Sequence, residues 1–388
     1  MSGSTRERAV VVGNGIAGLT AADALREAGF DGELTIVGDE PYPAYSRPAL
    51  SKALLRDGDG LASHALPPPG HGATELLGVR ATRLRLDRRQ VILDDGTDLP
   101  YDRLVLATGS RARRLSDLPE ELTLRGLDDA MALRGRLAGR PSVVVIGGGP
   151  LGMEIASACL AAGCPVTLVS SGVPQTAQLG PYLAGVLAGA ARARGLALVG
   201  SGPARIERRE GSARVVLADG TVLEAEVLVS AVGDIPNTEW LADTGLTAKG
   251  AGLTADRGAV PVDPRGLVRP RVAAVGDLAA LPTPYGLRRL PFWSSAIEQA
   301  KTAASALLRG DDTPPLRSRP YFWTEQFGLS LKMAGRQAPS GSPEFLDGEP
   351  GGGPSFMRWP CKDGTGTAAA LDYRIALPRL RRAAGPGA

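Results

Sequence analysis

The chain has 388 residues, 43% of them hydrophobic and 22% charged, which is typical of an ordinary globular protein of two or three domains. The net charge of +3 is too small to indicate a nucleic-acid partner, and the three cysteines and two histidines lack metal-ligand spacing. The polar N-terminus and the absence of an apolar run of about 18 residues argue against a signal peptide or a membrane span. We therefore expect a cytoplasmic protein without a metal site.

The first informative motif is a glycine-rich turn at residues 13–18, with the sequence G-N-G-I-A-G. It follows an apolar run at residues 9–12 and precedes a helix predicted at residues 19–28. In this context the first glycine makes a tight turn, the second lets a pyrophosphate approach, and the third packs helix on strand. The N-terminus of the helix supplies N–H groups to the phosphates. The residues expected to bind a dinucleotide are Gly13, Gly15, Ile16, Ala17 and Gly18.

A second strand, predicted at residues 34–37, is followed by two acidic residues. A carboxylate at this position typically binds a ribose hydroxyl of the dinucleotide. Asp39 is the first candidate and Glu40 the second. They lie further from the turn than the usual spacing of about 20 residues, because residues 30–33 lengthen the connection.

A β-hairpin with a turn at Asp95-Gly96 is predicted within residues 79–106, after a surface loop at residues 57–72. Residues 101–109 then indicate a buried strand that ends in the small-residue turn Ala107-Thr108-Gly109. Small residues at such a position allow the backbone to lie close to a ligand.

The same plan is repeated further along the chain. Residues 147–152 read G-G-G-P-L-G directly after the apolar residues 143–146. A hairpin with an Asp219-Gly220 turn follows, and then an apolar strand at residues 227–232 that ends at Gly233. Two fingerprints of this kind in one chain predict two bound dinucleotides and electron transfer between them.

The last third of the chain contains a short strand predicted at residues 268–277, ending in Gly276-Asp277, and a helix predicted at residues 294–308. The composition changes after Pro314-Pro315, where aromatic residues and strand-like runs indicate a small third α+β domain.

Several stretches together resemble the FAD- and NAD(P)H-dependent pyridine nucleotide oxidoreductases. The resemblance is greatest to the reductases that pass electrons to ferredoxins or rubredoxins of oxygenases and cytochromes P450. The stretches that carry it are residues 37–52, 106–110, 234–241, 275–279, 293–300 and 320–327.

The resemblance implies an α/β fold with two Rossmann-like dinucleotide-binding domains, as in glutathione reductase, and a small α+β C-terminal domain. An FAD-binding domain is expected at residues 1–114 and 234–314. An NAD(P)H-binding domain is expected at residues 115–233, and the C-terminal interface domain at residues 315–388.

For FAD, the resemblance implies that the first fingerprint binds the pyrophosphate and that Asp277 accepts hydrogen bonds from the ribityl chain. A cation near the flavin would tune its potential, and flat aromatic side chains would exclude water from its ring. The further residues implied at this cofactor are Arg47, Lys52, Ala81, Ala107, Thr108, Gly109, Gly276, Trp293 and Trp323. The alternatives are a surface cation for Arg47 and Lys52, a helix cap for Asp277, and plain core packing for Trp293 and Trp323. Glu298 is assigned no role at the flavin with preference, because a position on a solvated helix face explains it equally well.

For NAD(P)H, the resemblance implies that the second fingerprint binds the pyrophosphate and that Glu154 lies near the nicotinamide. A capping or surface position in the helix is the alternative for Glu154. The residues implied at this cofactor are Gly147, Gly149, Leu151, Gly152, Glu154, Ser170 and Gly233. The catalytic residues implied are Lys52, Glu154, Trp293 and Trp323.

The function implied is hydride transfer from NADH or NADPH to FAD, followed by single-electron transfer to a [2Fe-2S] ferredoxin or similar small protein. Residues 42–52 contain no cysteine, which argues against a thiol relay. Ferredoxins are acidic, so a basic docking face is expected on a monomer or homodimer. The candidate cations are Arg111, Arg113, Arg114, Arg288, Arg289, Arg317 and Arg319.

Three departures from the family pattern leave alternatives open. The strand at residues 166–169 ends in Ser170-Ser171 instead of an acidic residue, so neither NADH nor NADPH is favoured. Pro291-Phe292 replaces a polar pair, and the tail after Phe345 matches poorly. A flavoenzyme that itself reduces oxygen, a quinone or a biosynthetic small molecule is the second hypothesis, and a non-catalytic flavin-bound signalling or scaffold protein is the third.

Overall fold

The computed structural model describes residues 6–56, 60–67, 70–209, 212–247, 258–283, 286–335, 338–351, 353–361 and 364–385. The chain forms two compact units. The first unit contains Met1–Ser46, His64–Arg111 and Ile235–Ser318, and the second contains Arg47–Ser63, Ala112–Asp234 and Arg319–Ala388. The division into three domains stays a prediction.

The α-helices of the described residues lie in both units. They are α1 (Ile16–Glu27), α2 (Ala53–Arg56), α3 (Leu127–Leu137), α4 (Pro150–Ala161), α5 (Thr176–Ala193), α6 (Trp293–Arg309) and α7 (Leu377–Ala383).

The strands up to the middle of the chain are β1 (Arg8–Val12), β2 (Glu33–Gly38), β3 (Thr74–Leu77), β4 (Ala81–Arg85), β5 (Gln90–Leu93), β6 (Asp98–Pro100), β7 (Arg103–Leu106), β8 (Ser110–Ala112), β9 (Glu121–Leu122), β10 (Val143–Ile146), β11 (Val166–Val169), β12 (Ala197–Val199), β13 (Pro203–Arg209) and β14 (Ser212–Leu217). The remaining strands are β15 (Val222–Ala225), β16 (Val227–Ser230), β17 (Asp234–Pro236), β18 (Val260–Pro261), β19 (Leu267–Arg269), β20 (Val272–Ala274), β21 (Ala279–Thr283), β22 (Gly286–Arg289), β23 (Tyr321–Gln326), β24 (Leu329–Gly335), β25 (Glu344–Asp347), β26 (Ser355–Pro360) and β27 (Gly366–Leu371).

The first unit is built on a sheet with the order β19-β20-β7-β1-β2-β3, parallel except at the β19 edge. The central strands read as continuous apolar runs because both of their faces are covered, as parallel sheets require. Val11 stands opposite Ile36 on one side and Val105 on the other, and all three side chains are almost fully buried. This confirms the predicted βαβ unit and places the first glycine turn at the carboxyl end of β1.

Two predictions about this unit have different outcomes. The β4-β5-β6 meander has its turn at Asp95-Gly96, as predicted, with Gly96 at a φ of +87°. The single strand predicted at residues 268–277 is wrong, because two antiparallel strands, β19 and β20, occupy this stretch. The chain reverses after Pro270, which cannot donate to a sheet ladder, and Arg271 takes a positive φ of 70°.

The second unit repeats the plan. Its parallel sheet has the order β12-β11-β10-β16-β9, and the β13-β14-β15 meander carries the predicted turn at Asp219-Gly220. The apolar side chains of β10 are buried along its whole length. The second glycine turn therefore also lies at the carboxyl end of a buried strand, where α4 begins.

The C-terminal sheet of the second unit, with the order β23-β24-β27-β26-β25, shares a hydrophobic core with α5. Leu183 and Leu187 of α5 are four residues apart, which places them on one face of the helix, and Leu179 precedes a break in the helix at Gly180, which has a positive φ of 73°. They pack against residues of the sheet that include Leu331 and Met357. The predicted C-terminal β structure is present, and its core includes side chains from residues assigned to the preceding domain.

Replacing Leu183 with alanine should lower the free energy of unfolding by about 2–5 kcal/mol, because a fully buried leucine of the shared core would leave a cavity. Urea unfolding followed by tryptophan fluorescence would measure this. Leu346→Ala is the matched control, since Leu346 is 43% exposed and should change stability by less than about 0.5 kcal/mol. Equal effects of the two substitutions would contradict the shared core.

The segment before β9 is held by the buried carboxylate of Glu121. Its two oxygens accept the backbone N–H groups of Leu115 and Ser116, each at 2.7 Å, and Oε2 also accepts the Ser116 hydroxyl. Burial alone raises the pKa of this carboxyl, but these hydrogen bonds outweigh burial, so its pKa lies below the ordinary glutamate value. The folded state therefore favours the charged form.

Replacing Glu121 with glutamine should lower the free energy of unfolding by about 1–3 kcal/mol near neutral pH. Because the pKa is lowered in the folded protein, this stabilisation exists above the unfolded value of about 4.3 and disappears as the pH falls through the folded value. Urea unfolding at about pH 7 and about pH 4 would show a difference that narrows in acid. The exposed Glu349→Gln variant should show no such narrowing.

Candidate functional site: two dinucleotide cradles

The first glycine turn connects β1 to α1 with a geometry that only glycine allows. Gly13 has a φ of +117°, and its N–H donates to the Val37 carbonyl at 2.7 Å. A Cβ atom on Gly13 would collide with the Ala107 carbonyl, and one on Gly18 would collide with the Gly13 carbonyl. Two of the three glycines are thus required by backbone packing.

Gly15 differs, since a Cβ atom there would meet no atom within 4 Å. It is the N-cap residue of α1, and no side chain caps this N-terminus. The first turn of α1, which begins at Ile16 and Ala17, therefore has no side-chain cap, as suits a helix N-terminus that binds phosphate oxygens. The residues of this turn fit the pyrophosphate of the predicted FAD.

The turn after β7 is joined to Asn237 by reciprocal hydrogen bonds. Thr108 Oγ1 donates to the Asn237 carbonyl at 2.7 Å, and Asn237 Nδ2 donates to the Thr108 carbonyl at 3.0 Å. The Asn237 N–H also donates to the carbonyl of Gly109, at 3.0 Å. Because these bonds occupy the Thr108 hydroxyl proton and hold the backbone of Thr108 and Gly109, we expect the backbone of this turn, and not the Thr108 side chain, to contact the cofactor.

The Gly276-Asp277 turn is held from α6. The Gly276 N–H donates to Gln299 Oε1 at 2.9 Å, and Gly276 has a positive φ of 77°. Arg289 Nη1 donates to the Asp277 carbonyl at 3.0 Å, while the Asp277 carboxylate accepts the Ser110 hydroxyl at 3.4 Å. The role of Asp277 towards a ribityl chain stays a prediction.

The two candidates for the ribose carboxylate differ in their surroundings. The Asp39 side chain is 58% exposed and has Arg80 Nη2 at 3.9 Å. Glu40 Oε1 accepts the hydroxyl of the buried Tyr45 at 2.9 Å. Asp39 directly follows the end of β2 and is the more accessible of the two, so it remains the first candidate.

Two further positions of the first unit were predicted at FAD. Ala81 is buried at the start of β4, paired with Leu93, so that its backbone is held by the small sheet. Trp293 begins α6 and is half-buried, which fits neither a plain core residue nor a fully exposed one. Their contacts with a flavin stay predictions.

The second glycine turn has the same construction as the first. Gly147 has a φ of +116°, and a Cβ atom on it would collide with the Ala231 carbonyl. Gly152 packs against the Gly147 carbonyl, while a Cβ atom on Gly149 would meet nothing within 4 Å. Leu151 in the first turn of α4 is 36% exposed. An accessible, uncapped N-terminus is again present, here for the predicted NAD(P)H.

Ser170 packs directly against this turn. A Cβ atom on Gly148 would lie 2.8 Å from Ser170 Cβ and 3.2 Å from Pro174 Cα. The Ser170 N–H donates to the Val199 carbonyl at 3.0 Å. Ser170 therefore stands at the strand end where the family pattern places an acidic residue, as the sequence predicted.

Glu154 lies inside α4 and is 6% exposed, so the alternative of a surface or capping residue is wrong. Lys52 Nζ donates to Glu154 Oε2 at 2.8 Å, and the Ser51 hydroxyl donates to the same oxygen. The hydroxyl of Thr324 donates to Glu154 Oε1 at 2.7 Å. The carboxylate thus has a donor on each oxygen, which a buried charge requires.

Lys52 is equally restricted. Its side chain is 13% exposed, and Nζ also donates to the Pro48 carbonyl at 3.3 Å. The alternative of a solvated surface cation is therefore wrong for Lys52. The structure brings together two of the four residues predicted to be catalytic, Lys52 and Glu154, through a direct ion pair in the second unit.

Three other predicted residues of the second unit have defined neighbours. Arg47 Nη1 donates to the Arg125 carbonyl at 2.9 Å. Trp323 of β23 stacks on Tyr321 with 5.7 Å between ring centroids. The Gly233 carbonyl accepts the Arg113 N–H at 3.0 Å. None of these contacts tests the predicted contacts with cofactors.

Several arginines proposed for a basic docking face have structural partners. Arg114 donates to the carbonyls of Leu118 and Glu121, each at 2.7 Å. Arg111 forms an ion pair with Glu239 at 2.6 Å. Arg113, Arg288, Arg317 and Arg319 are exposed. The docking face stays a prediction.

The buried cysteines do not offer a reactive thiol to the two glycine turns at residues 13–18 and 147–152, which we call the first and second cradles. Cys159 and Cys164 are buried, and all three cysteines of the chain are unpaired. Burial, the larger cause, and the neighbouring Cys164 raise the pKa of the Cys159 thiol to about 12, which disfavours the reactive thiolate.

Sequence reasoning missed the residues that support the predicted ones. Asn237 and Gln299 hold the turns at Thr108 and Gly276, and Thr324 completes the shell of Glu154. Asn237 and Thr324 lie in the quoted stretches 234–241 and 320–327, but their partners are over a hundred residues away, at separations of 129 and 170. No local pattern identifies such pairs.

The two cradles and the fold that positions them define a two-dinucleotide oxidoreductase. A family model described as pyridine nucleotide-disulphide oxidoreductase matches residues 7–305. The chain belongs to this family, which confirms the predicted fold, family and enzyme class.

Two curated relatives are ferredoxin-linked reductases. The chain is 37% identical to rhodocoxin reductase from Rhodococcus erythropolis over 342 residues, covering 85% of this chain and 78% of the relative. It is 31% identical to the ferredoxin–NAD(+) reductase component of the p-cumate 2,3-dioxygenase system from Pseudomonas putida, covering 87% of this chain and 83% of the relative. The name of this second relative contains a nicotinamide cofactor and a ferredoxin, which are the cofactor type and the partner type predicted from the sequence.

A solved structure is similar over nearly the whole chain. The covalent putidaredoxin reductase–putidaredoxin complex matches with a TM-score of 0.83 at 28% identity, covering 97% of this chain and 92% of the other. None of the helices in the described residues is long and apolar enough to cross a membrane.

Gly18→Ala should reduce FAD binding by about tenfold or more, because the added methyl group would push the Gly13 backbone out of its turn. The flavin-to-protein absorbance ratio after purification, and titration of the apoprotein with FAD, would measure this. Gly135→Ala in α3 is the matched control, since an added Cβ meets nothing there and should leave FAD binding unchanged. Undiminished FAD content in the Gly18 variant would contradict the assignment of the first cradle.

Proposed function

We propose that this protein is an FAD-dependent NAD(P)H:ferredoxin reductase that serves a P450 or another oxygenase. The observation that carries the proposal is the presence of two glycine cradles of the same construction, together with a buried Lys52–Glu154 pair. The relatives named ferredoxin–NAD(+) reductases support the same activity. A cytoplasmic location belongs to the proposal, because that compartment supplies NAD(P)H.

In this proposal the first cradle holds FAD, which accepts a hydride and releases electrons singly when bound. Gly15 leaves room for the pyrophosphate, and the N-terminus of α1 offers backbone N–H groups to its oxygens. The fixed backbone at Thr108 and the Asp277 carboxylate orient the rest of the group. Asp39 binds the ribose.

The second cradle holds NAD(P)H through Gly149 and the N-terminus of α4. Lys52 supplies a positive charge, and Glu154 keeps it in one place through a bond of 2.8 Å. A fixed cation stabilises negative charge that develops beside it without any reorganisation of the side chain. The protein thereby contributes orientation and electrostatics, and no side chain has to donate or accept a proton in the hydride step.

Electrons leave directly for a one-electron acceptor in this proposal. Neither of the buried cysteines is an activated thiol, and residues 42–52 contain no cysteine. Preference between NADH and NADPH is open at Ser170, since a hydroxyl group neither binds the 2′-hydroxyl as a carboxylate does nor repels a 2′-phosphate. Both nucleotides are therefore expected to reduce the protein.

A second candidate function is direct reduction of oxygen or a quinone. The apolar pair Pro291-Phe292 favours it, because Phe292 is half-buried directly before Trp293, where the family pattern has a polar pair. An apolar surface at this position suits a small neutral acceptor better than a charged one.

Anaerobic stopped-flow mixing of the FAD-loaded protein with NADH, and separately with NADPH, tests the proposal. Bleaching of the flavin absorbance with either nucleotide is expected. Cytochrome c reduction should then depend on an added [2Fe-2S] ferredoxin. Bleaching without ferredoxin dependence, but with rapid oxygen or quinone turnover, would favour the second candidate. Absence of bleaching with both nucleotides would refute both.

A further inference from the structure

The Glu154 carboxylate is the end of a longer buried chain of hydrogen bonds within the second unit. Thr324 Oγ1 donates to Glu154 Oε1 at 2.7 Å, and Gln326 Nε2 donates to Thr324 Oγ1 at 3.0 Å. Gln175 Nε2 in turn donates to Gln326 Oε1 at 2.8 Å. The Gln175 backbone N–H donates to the Gly148 carbonyl at 2.7 Å. The chain therefore connects the second glycine turn to the partner of Lys52.

The direction of these bonds is determined by the chemistry of the groups. A threonine hydroxyl has one proton, and because Thr324 Oγ1 accepts from Gln326, its own proton points to Glu154. The Gln326 oxygen accepts from Gln175, and the Gln326 amide nitrogen donates to Thr324 Oγ1 at 3.0 Å and to Gln175 Oε1 at 3.4 Å. Each orientation fixes the next, as in other buried hydrogen-bond networks.

Because these side chains are buried, their hydrogen bonds are favourable only when all of them form together. Gln175, Gln326 and Thr324 are 2%, 2% and 0% exposed. A polar group that loses its partner at such a depth has no water to replace it, so the partially formed chain is unfavourable. We call these three residues the Gln–Thr chain.

Gln175 also has an unusual backbone. At the N-cap position of α5 its φ is +64°, which lies in the left-handed backbone region that residues other than glycine rarely adopt. Glycine or asparagine would suit this conformation better. The glutamine side chain is instead long enough to reach Gln326 from the glycine turn, which gives the residue a role besides the turn.

We propose that Thr324, Gln326 and Gln175 are positioning residues that hold the Glu154 carboxylate, and through it the Lys52 ammonium, in one orientation relative to the second glycine turn. The inference rests on the proposed function, in which Lys52 acts beside the reacting cofactors. It adds a specific support for Lys52 that extends from β23 to the start of α5.

The experiment compares Thr324→Val, which keeps the shape and removes the hydroxyl, with Thr324→Ser, which restores the hydroxyl. Thr367→Val is the matched control, because Thr367 is a 3% exposed threonine in the same sheet and outside the Gln–Thr chain. Gln175→Gly is the second variant. It accepts the positive φ while removing the side chain, so it should fold even where another substitution does not.

Two readouts are made on the FAD-loaded proteins. One is the rate constant of flavin bleaching by NADH together with the Kd of NADH. The other is trace acetylation with acetic anhydride and mass spectrometry, in which the labelling rate of Lys52 is divided by that of the exposed Lys301. The chain has only five lysines, so the peptides are readily distinguished.

We expect Thr324→Val and Gln175→Gly to raise the relative labelling of Lys52 by about threefold or more, and to slow bleaching by about tenfold. The Kd of NADH should stay within about twofold. Thr324→Ser should restore both values, and Thr367→Val should change neither. These results together would support the proposal.

Unchanged Lys52 labelling in both variants would overturn the proposal, and so would an equal change in Thr367→Val. Raised labelling of Lys52 with an unaltered rate of flavin bleaching would overturn the functional role of the Gln–Thr chain. If neither NADH nor NADPH bleaches the wild-type protein, the proposed function fails, whereas the labelling ratios still decide whether the Gln–Thr chain holds Lys52.

Discussion

A buried carboxylate imposes the tightest constraint on the second unit. Glu154 is 6% exposed, and a charge at that depth is tolerated only when donors surround it. The donors come from distant parts of the sequence, Ser51 and Lys52 on one side and Thr324 on the other. Satisfying one side chain therefore requires residues 47–63, α4 and the C-terminal sheet to assemble together. Removal of any donor would leave the buried carboxylate less completely hydrogen-bonded.

The parts of the site that depend on contacts between residues close together in the sequence were predictable from the sequence. A glycine turn between a buried strand and a helix is recognisable because Gly18 and Gly152 pack against the carbonyls of Gly13 and Gly147, only five residues earlier in the sequence. The Asp95-Gly96 and Asp219-Gly220 turns are local in the same sense. The predicted α1 and α6 agree with the structure to within a few residues, since apolar periodicity determines a helix but leaves its ends less certain.

The remaining features depend on contacts between residues far apart in the sequence. Whether Glu154 lay inside the protein or on its surface could not be decided from α4 alone, because the deciding partners Lys52 and Thr324 lie 102 and 170 residues away. The left-handed backbone of Gln175 gave no signal, since glutamine is not a residue expected there. Pro270 was visible in the sequence, but its effect of dividing one predicted strand into two was not recognised.

The core shared by α5 and the C-terminal sheet has a consequence for the design of chimaeric reductases. Leu179, Leu183 and Leu187 are contributed by the stretch that follows the second glycine turn, whereas Leu331 and Met357 come from the tail. Exchanging the tail for that of another enzyme at Pro314-Pro315 would thus join two half-cores that were never selected to fit each other. A transplanted tail would need to bring its own α5, so the part that can be exchanged consists of two separate stretches of the sequence. The choice of electron acceptor is therefore better altered by individual surface substitutions.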